Sequence, residues 1–589
     1  MQIKSFDIET TGLSQFTDKI FSYCIGDRDG NVTVDRSFNR QAIQTFFNNV
    51  NIAKLCHNFK FEYSFMRTHN INVPSNTIWH CTLIMSRLLN NLAPSHKLED
   101  LIYDLDDDYD KSISKQVKNQ ANARGGRFDK VDKPLFKQYQ INDGQEPMLL
   151  FEILYPEIIK DQQLYKEYMT EIAFAKVCIK MEEEGICVDV IEAENLIEHI
   201  EIEMNKIHEE VYKLYGEFIN IKSDSKVKKI LYKRLKLPVV AYTDKGNPSV
   251  DKDAIFELLE RFPEHSNILN LILKLRSYTT GRAIALSYLE YKDVNNIIHP
   301  NINPNVARTG RPSCSRPNLL NVAKEDVIKN PFPVPARKCF RCKPNRILYF
   351  VDYAGLQMRL IADSCGEQEM IDIINVNGDI HKIPTELFYS GLKKPIIKKE
   401  LLSENQWKMY RNAGKNTNFA MPFGAGIIAA SKTLNLPFDI ASIGVERYCL
   451  RFPKVAYYSK FQMEQVKRFG YIITPFGRKL RVPKDKSYIG ANYYIQGAEA
   501  GLMKRALVRV NKYFEDSWDD RIKLILDIYD ETVFSCPIEL IKYEERIVQD
   551  VSRLMTDIKE INVKLDVEWK KSEGTWYDAK EINNAIQKK

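Results

Sequence analysis

Apolar stretches that run straight into acidic side chains limit the folds open to this chain more than any other feature. The stretch 3–8 holds Asp7 and continues into Glu9, 347–351 ends on Asp352, and LILDIYDETVF holds Asp530-Glu531. Strands this apolar belong inside a sheet, and a carboxylate at a buried strand end is costly unless cations or hydrogen-bond donors meet it. The fold therefore needs sheets whose strand ends open onto sites able to hold positive charge. A strand repeats every second residue, so Asp7 and Glu9 share one face, where two carboxylates can share divalent cations. Alone, this Asp-x-Glu says little, because 78 acidic residues produce several by chance. Asp352 and Asp530-Glu531, each taken alone, read as capped turn carboxylates.

At 589 residues the chain exceeds one hydrophobic core, and its length suggests about four folded units. Strands and helices alternate to about residue 165, with the acidic run 104–110 reading as a solvated loop. Two amphipathic helices fill 160–215, separated at Met181-Glu-Glu-Glu-Gly185. Segment 222–236 carries seven Lys and Arg against one Asp, which suits a phosphate-tracking surface as well as a solvated one. The Pro- and Asn-rich stretch 300–336 reads as loops and turns. No stretch approaches 18 apolar residues, so no membrane helix is expected. The opening MQIKSFDIETTG is not a signal peptide, and eleven cysteines are ordinary for a reducing cytoplasm. Cys339 and Cys342 have no second pair at zinc spacing and read as structural. A net charge of +7 permits a nucleic-acid partner without requiring one.

Further motifs give the acids a context. His57-Asn58-x3-Glu62 and Tyr139-x3-Asp143 follow Asp7-x-Glu9. Between the later acids, Arg411, Lys415, Phe419 and Phe423 recur every fourth residue. On a helix they form one stripe of two cations and two aromatics, with Pro422 a kink near its end. A core stripe would not begin with two cations; a helix that grips a triphosphate and stacks on a base would. The first three motifs, in this order, resemble the proofreading 3′–5′ exonuclease domains of the DEDD superfamily. VDYAGLQMR, RNAGKNTNFAMPFG and IYDE resemble motifs A, B and C of family A, polymerase I-like DNA polymerases. Supporting matches, among them Thr309-Gly-Arg-Pro-Ser313, Gly378-Asp-Ile-His381, Thr474-Pro-Phe-Gly-Arg478 and Asn492-x3-Gln496, run along nearly the whole chain.

The resemblance implies an α/β, RNase H-like exonuclease of DEDD type followed by an α+β right-hand polymerase. The expected bounds are 1–165 exonuclease, 166–300 thumb with connecting helices, 301–370 palm with motif A, 371–450 fingers, and 451–589 the rest of the palm. It implies template-directed addition of dNTPs to a primer 3′-OH with proofreading. Asp7, Glu9, Glu62 and Asp143 would hold two Mg2+ ions, with Tyr139 orienting the water. Asp352 and Asp530 would hold two more, Mn2+ being able to substitute, with Glu531 in support. Arg411, Lys415 and His381 would neutralise phosphates, Lys415 also serving as an acid for pyrophosphate, while Phe419 and Phe423 pack at the sugar and nascent base pair. Arg311, Asn318, Asn492 and Gln496 would follow the primer–template DNA, whose minor-groove acceptors are common to all pairs. Unidentified processivity or replisome factors are further expected partners; a membrane is not.

Several residues depart from the family pattern. Glu62 stands where Asp is usual, which is expected to weaken the exonuclease. Gln357 replaces the Glu that excludes a ribose 2′-hydroxyl, and Phe423 replaces the Tyr that commonly bonds it. Gln is nearly isosteric with Glu, so exclusion should survive. Tyr529 stands where His is usual. Because the chain begins at the exonuclease strand, no 5′ nuclease domain is expected before it. That layout resembles bacteriophage replicative polymerases and implies a host cytoplasm. A single-subunit RNA polymerase, or a nuclease with an inactive polymerase half, are the competing readings.

Overall fold

The computed structural model describes residues 2–105, 111–217, 220–243, 245–322, 330–389, 402–434 and 436–582. The acidic run expected as a loop over 104–110 lies mostly outside them. Strand Gln2–Thr10 is the middle of a five-stranded sheet. Ile20–Gly26 and Val32–Asp35 extend it antiparallel on one side, and Ile52–Cys56 and Trp79–Cys81 parallel on the other. Parallel neighbours need crossover connections, and the helix Phe59–Thr68 supplies the one between the last two strands. Phe6, Ile8, Leu55, Phe59 and Trp79 belong to one buried core. Helix Lys133–Ile159 lies across the sheet and carries Tyr139 and Asp143 to the end of the first strand.

The second sheet is antiparallel throughout. Its order is Lys523–Ile528, Glu531–Pro537, Arg346–Tyr353, Val567–Ser572 and Lys580–Glu581. Ile347–Val351 are buried without interruption, as their apolar run predicts, and Asp352 is the first half-buried residue after them. The turn before Glu531 is sharp enough to hold Tyr529 at φ 62°, a left-handed conformation uncommon outside glycine. Helix Glu404–Ala420 starts on a capping box in which Ser403 and Gln406 satisfy each other's backbone N–H groups. It ends where Pro422 enters the 3-10 turn Met421–Phe423. The basic segment 222–236 forms two short helical pieces, Asp224–Lys228 and Lys229–Arg234. Cys339 and Cys342 are buried free thiols, consistent with a structural pair.

Two large cores meet inside one helix, Gln162–Glu184. Leu164, Tyr168, Ile172 and Ala175 belong to the core of the first sheet, while Phe174, Val177, Cys178 and Met181 belong to the second. The expected boundary at 165 therefore falls in the first turn of a shared element. Gly185, at φ 60°, ends the helix at the break seen in the sequence. A buried charge cluster holds this helix to the second unit. Glu171 accepts from Arg478 Nη1 and from Lys504 Nζ, both at 2.5 Å. Arg505 Nη2 lies 2.8 Å from Glu167. Gly310, at φ +87°, packs on the Arg478 guanidinium, where a Cβ would sit 2.6 Å from Cζ. The Thr-Gly-Arg motif thus uses its glycine for close approach as well as for backbone freedom. Removing one partner of such a cluster leaves a buried charge uncompensated. Glu171→Gln is expected to cost about 3–5 kcal/mol and to lower the melting of both units together in calorimetry; an unchanged melting profile would show that the cluster holds nothing.

Candidate active sites

Strand register and the long helix together assemble the first site. Asp7 and Glu9 project from one face of Gln2–Thr10, and Asp143 reaches them from helix Lys133–Ile159. Carboxylate oxygens of Asp7, Glu9 and Asp143 all lie within 4.8 Å of one another, which no other three His, Cys, Asp or Glu side chains achieve among the described residues. Burial pushes Asp7 well above the usual carboxylate range, and the charges of Glu9 and Glu62 add to it. Glu9 is raised by burial and by Asp143, Asp143 by burial and by Asp7. The Tyr139 hydroxyl, beside Glu9 and Asp143, partly offsets this. Glu62, on helix Phe59–Thr68, is 3% exposed but stays outside the trio, and its Oε2 meets no hydrogen-bond partner among the described residues. Burial pushes its pKa up to about 8.

Repulsion among packed acids is what a divalent cation relieves, and an all-oxygen donor set suits Mg2+ or Mn2+. The residues fit such an ion. Each acid binds its proton more tightly in the folded chain than in the unfolded one. Between roughly pH 4 and the Glu62 value of about 8, the metal-free fold therefore holds more protons, and its stability falls as pH rises. Millimolar Mg2+ is expected to raise the melting temperature more at pH 8 than at pH 6. An equal rise at both, or a rise that survives Asp7→Asn with Asp143→Asn, would show that the acids are not the site.

The second site lies at the centre of the antiparallel sheet. Asp352 pairs with Glu531 on one neighbouring strand and with Glu568 on the other, so three acids stand in a row. The Tyr353 N–H donates to the Asp530 carbonyl at 3.0 Å, which ties the turn to the motif A strand. These acids spread more widely than the first trio. Arg337 Nη2 lies 3.8 Å from Glu531, and a cleft of about 210 Å3 contains Arg337, Asp352, Glu531 and Glu568. Neither Arg337 nor Glu568 stands in a sequence motif; only the strand pairing brings Glu568 beside Asp352.

Arg411, Lys415 and His381 line a neighbouring cleft of about 480 Å3 that reaches Gly355 behind the motif A strand. The stripe is real but not uniformly free. Arg411 makes a two-pronged pair with Asp379, at 2.7 and 3.0 Å, whereas the Lys415 side chain is exposed with its ammonium 5.8 Å from the Phe419 ring centroid. His381 is the buried member of this group. Burial, with Lys415 and Arg411 nearby, lowers its pKa to about 4, so at neutral pH it offers hydrogen bonds and not positive charge. Its ring lies 5.5 Å from that of Phe419, and Phe423 follows in the 3-10 turn, half-buried.

The remaining candidates sit around this centre. Gln357, in the first turn of helix Leu356–Cys365, donates from Nε2 to Glu499 Oε2 at 3.2 Å. Arg311 Nη2 donates to the same oxygen at 2.8 Å, and its guanidinium lies 5.2 Å from the Tyr529 ring centroid. Asn492 and Gln496, one turn apart on helix Gly490–Trp518, bond each other at 2.8 Å. Asn318 caps the turn Leu319–Asn321 through Leu320 N–H, with its side chain at the surface.

Residues 191–578 match the family described as DNA polymerase family A, and residues 3–142 match a 3′–5′ exonuclease family. The chain belongs to DNA polymerase family A. It is 27% identical over 458 residues to the thermostable DNA polymerase I of Thermus thermophilus, spanning 74% of this chain and 52% of that one. It is 23% identical over 602 residues to DNA polymerase I of Pseudomonas aeruginosa, spanning 96% and 62%. The chain thus spans about half to two thirds of the curated relatives it matches. A solved structure, the POL domain of Pol1 from M. smegmatis in complex with DNA primer-template and dNTP, is similar at a TM-score of 0.82 and 20% identity, covering 98% of this chain and 96% of that one. The fold is accordingly an exonuclease-type α/β unit followed by a family A polymerase unit. No helix among the described residues is long and apolar enough to cross a membrane.

Proposed function

We propose that the chain is a template-directed DNA polymerase that adds dNTPs to a primer 3′-OH and proofreads with its own 3′–5′ exonuclease. The observation that carries this is the pairing of two carboxylate centres on separate sheets, one of them beside a cleft lined by Arg411 and Lys415. The domain bounds proposed are 1–165 exonuclease, 166–300 thumb, 301–370 and 451–589 palm, and 371–450 fingers, with helix Gln162–Glu184 shared at the first junction.

Asp7, Glu9 and Asp143 would hold Mg2+ in the exonuclease, with Glu62 behind them, and Asp352 and Asp530 would hold it in the palm. Bound there, the ions supply an activated water or primer hydroxyl and stabilise the leaving oxygen. Tyr139, beside the acids, would orient the attacking water. Lys415 would neutralise triphosphate charge and serve as an acid for pyrophosphate. Arg411 contributes after release from Asp379, and His381 donates a hydrogen bond. Phe419 and Phe423 would stack at the sugar and base pair, Arg311, Asn492 and Gln496 would follow the primer–template minor groove, and Asn318 would contact the DNA. A bacteriophage source, a host cytoplasm and replisome partners belong to the proposal alone; the relatives compared above are bacterial.

Extension of a mismatched primer tests both sites together. Asp352→Asn is expected to reduce dNTP addition by about a thousandfold or more and to leave degradation of single-stranded 3′ ends intact. Asp7→Ala is expected to abolish that degradation and to spare extension from a matched end. Extension by the Asp352 variant at the wild-type rate would end the polymerase assignment.

A further inference from the structure

Glu499 is a charge that no motif points to. It stands three residues after Gln496 on helix Gly490–Trp518 and is 2% exposed. A carboxylate so deeply buried needs compensation, and here a single oxygen accepts from both Arg311 Nη2 at 2.8 Å and Gln357 Nε2 at 3.2 Å. The two donors come from separate places. Gln357 sits on the helix that follows the Asp352 strand, and Arg311 belongs to the Thr309–Ser313 motif and stacks on Tyr529, next to Asp530. One carboxylate therefore joins the motif A helix to the loop and turn on the other side of the palm centre.

The bond also fixes which way the amide faces. A carboxylate only accepts, so the NH2 end of Gln357 must point at Glu499 and its carbonyl must point away. A charge-assisted bond in a buried setting selects one rotamer where a solvated Gln samples several. The choice of Gln at 357 follows from the same geometry. A carboxylate there would face Glu499 across about the same gap with only Arg311 between them. Two buried carboxylates sharing one cation repel. Asp527, also 2% exposed and within electrostatic reach of Glu499, Lys504 and Arg311, makes a further negative charge still less tolerable.

Building on the polymerase reading, we propose that Glu499 is a positioning residue for nucleotide selection: it locks Gln357 in the rotamer that excludes a ribose 2′-hydroxyl and couples that gate to Arg311. The amide at 357 and the carboxylate at 499 are a matched pair. Exchanging them should preserve the device, whereas changing either alone should not.

The test uses the full chain with Glu499→Gln, Glu499→Ala, Gln357→Glu and the exchange Gln357→Glu/Glu499→Gln, with Gln357→Ala marking complete loss of the gate. Single-nucleotide addition of dNTP and rNTP to a matched primer gives kcat and KM for each. Glu499→Ala is expected to lower the dNTP:rNTP ratio of kcat/KM by about tenfold or more, approaching the Gln357→Ala value. Gln357→Glu should impair dNTP use mainly through KM, and the exchange should return the ratio to within about threefold of wild type, the non-additivity expected of residues in contact. A ratio unchanged in a folded Glu499→Ala protein overturns the proposal. So does an exchange variant no better than the worse single variant. Should Glu499→Ala fail to fold, the nearly isosteric Gln357→Glu, Glu499→Gln and exchange series decides alone. A wild-type chain that adds no dNTP at all defeats the polymerase reading first, which separates the two failures.

Discussion

Helix Gln162–Glu184 has to satisfy two hydrophobic cores along one rod, and the placement of both carboxylate sites depends on it. Its first half packs beneath the exonuclease sheet and its second half beneath the palm, so neither sheet can shift without the other. Glu167 and Glu171 add a second constraint. They are buried against Arg478, Lys504 and Arg505, which come from a hairpin and a helix hundreds of residues away. Apolar packing is tolerant of small sliding; a buried charge set is not, because any slip strands a charge. The cluster therefore works as a registry pin between the units.

The same economy of charge governs the active centres. In the first sheet, three carboxylates are packed until each resists ionising, a repulsion that a divalent cation would relieve. In the second sheet, the acids are spread across adjacent strands and are accompanied by Arg337 and, beyond them, by Arg411 and Lys415 of helix Glu404–Ala420. Cations of the protein are often held in reserve. Arg411 is paired with Asp379 and Arg311 with Glu499, so a phosphate or a primer end would have to compete for them. Such pairs keep long side chains near their working positions at a modest energetic cost.

Much of this could be read from residue order. The carboxylate-bearing strands, the helix break at Gly185, the stop at Pro422 and the stripe from Arg411 to Phe423 are local patterns, and the structure forms them where periodicity and turn chemistry put them. The unread residues share a different property. Glu568 acquires its place by strand pairing with Asp352 across more than 200 positions, and Glu499 by a bond to two separate motifs. In the sequence each is one Glu among 78 acidic residues. The pKa shift was equally hidden: His381 stands in a motif, but its lowered pKa follows from burial and from two cations that folding brings near.

The sequence by itself determined which strands are buried, which carboxylates end them, and which helix carries the cations, because those follow from spacing of two and of nearly four residues along one chain. Tertiary structure decided which acids converge, as Asp7, Glu9 and Asp143 do with Glu62 within electrostatic reach. It also decided that an amide at 357 is complete only with a carboxylate at 499. The reason is physical. Electrostatic cost depends on distance and burial, and neither exists until strands and helices far apart in the chain have been packed together.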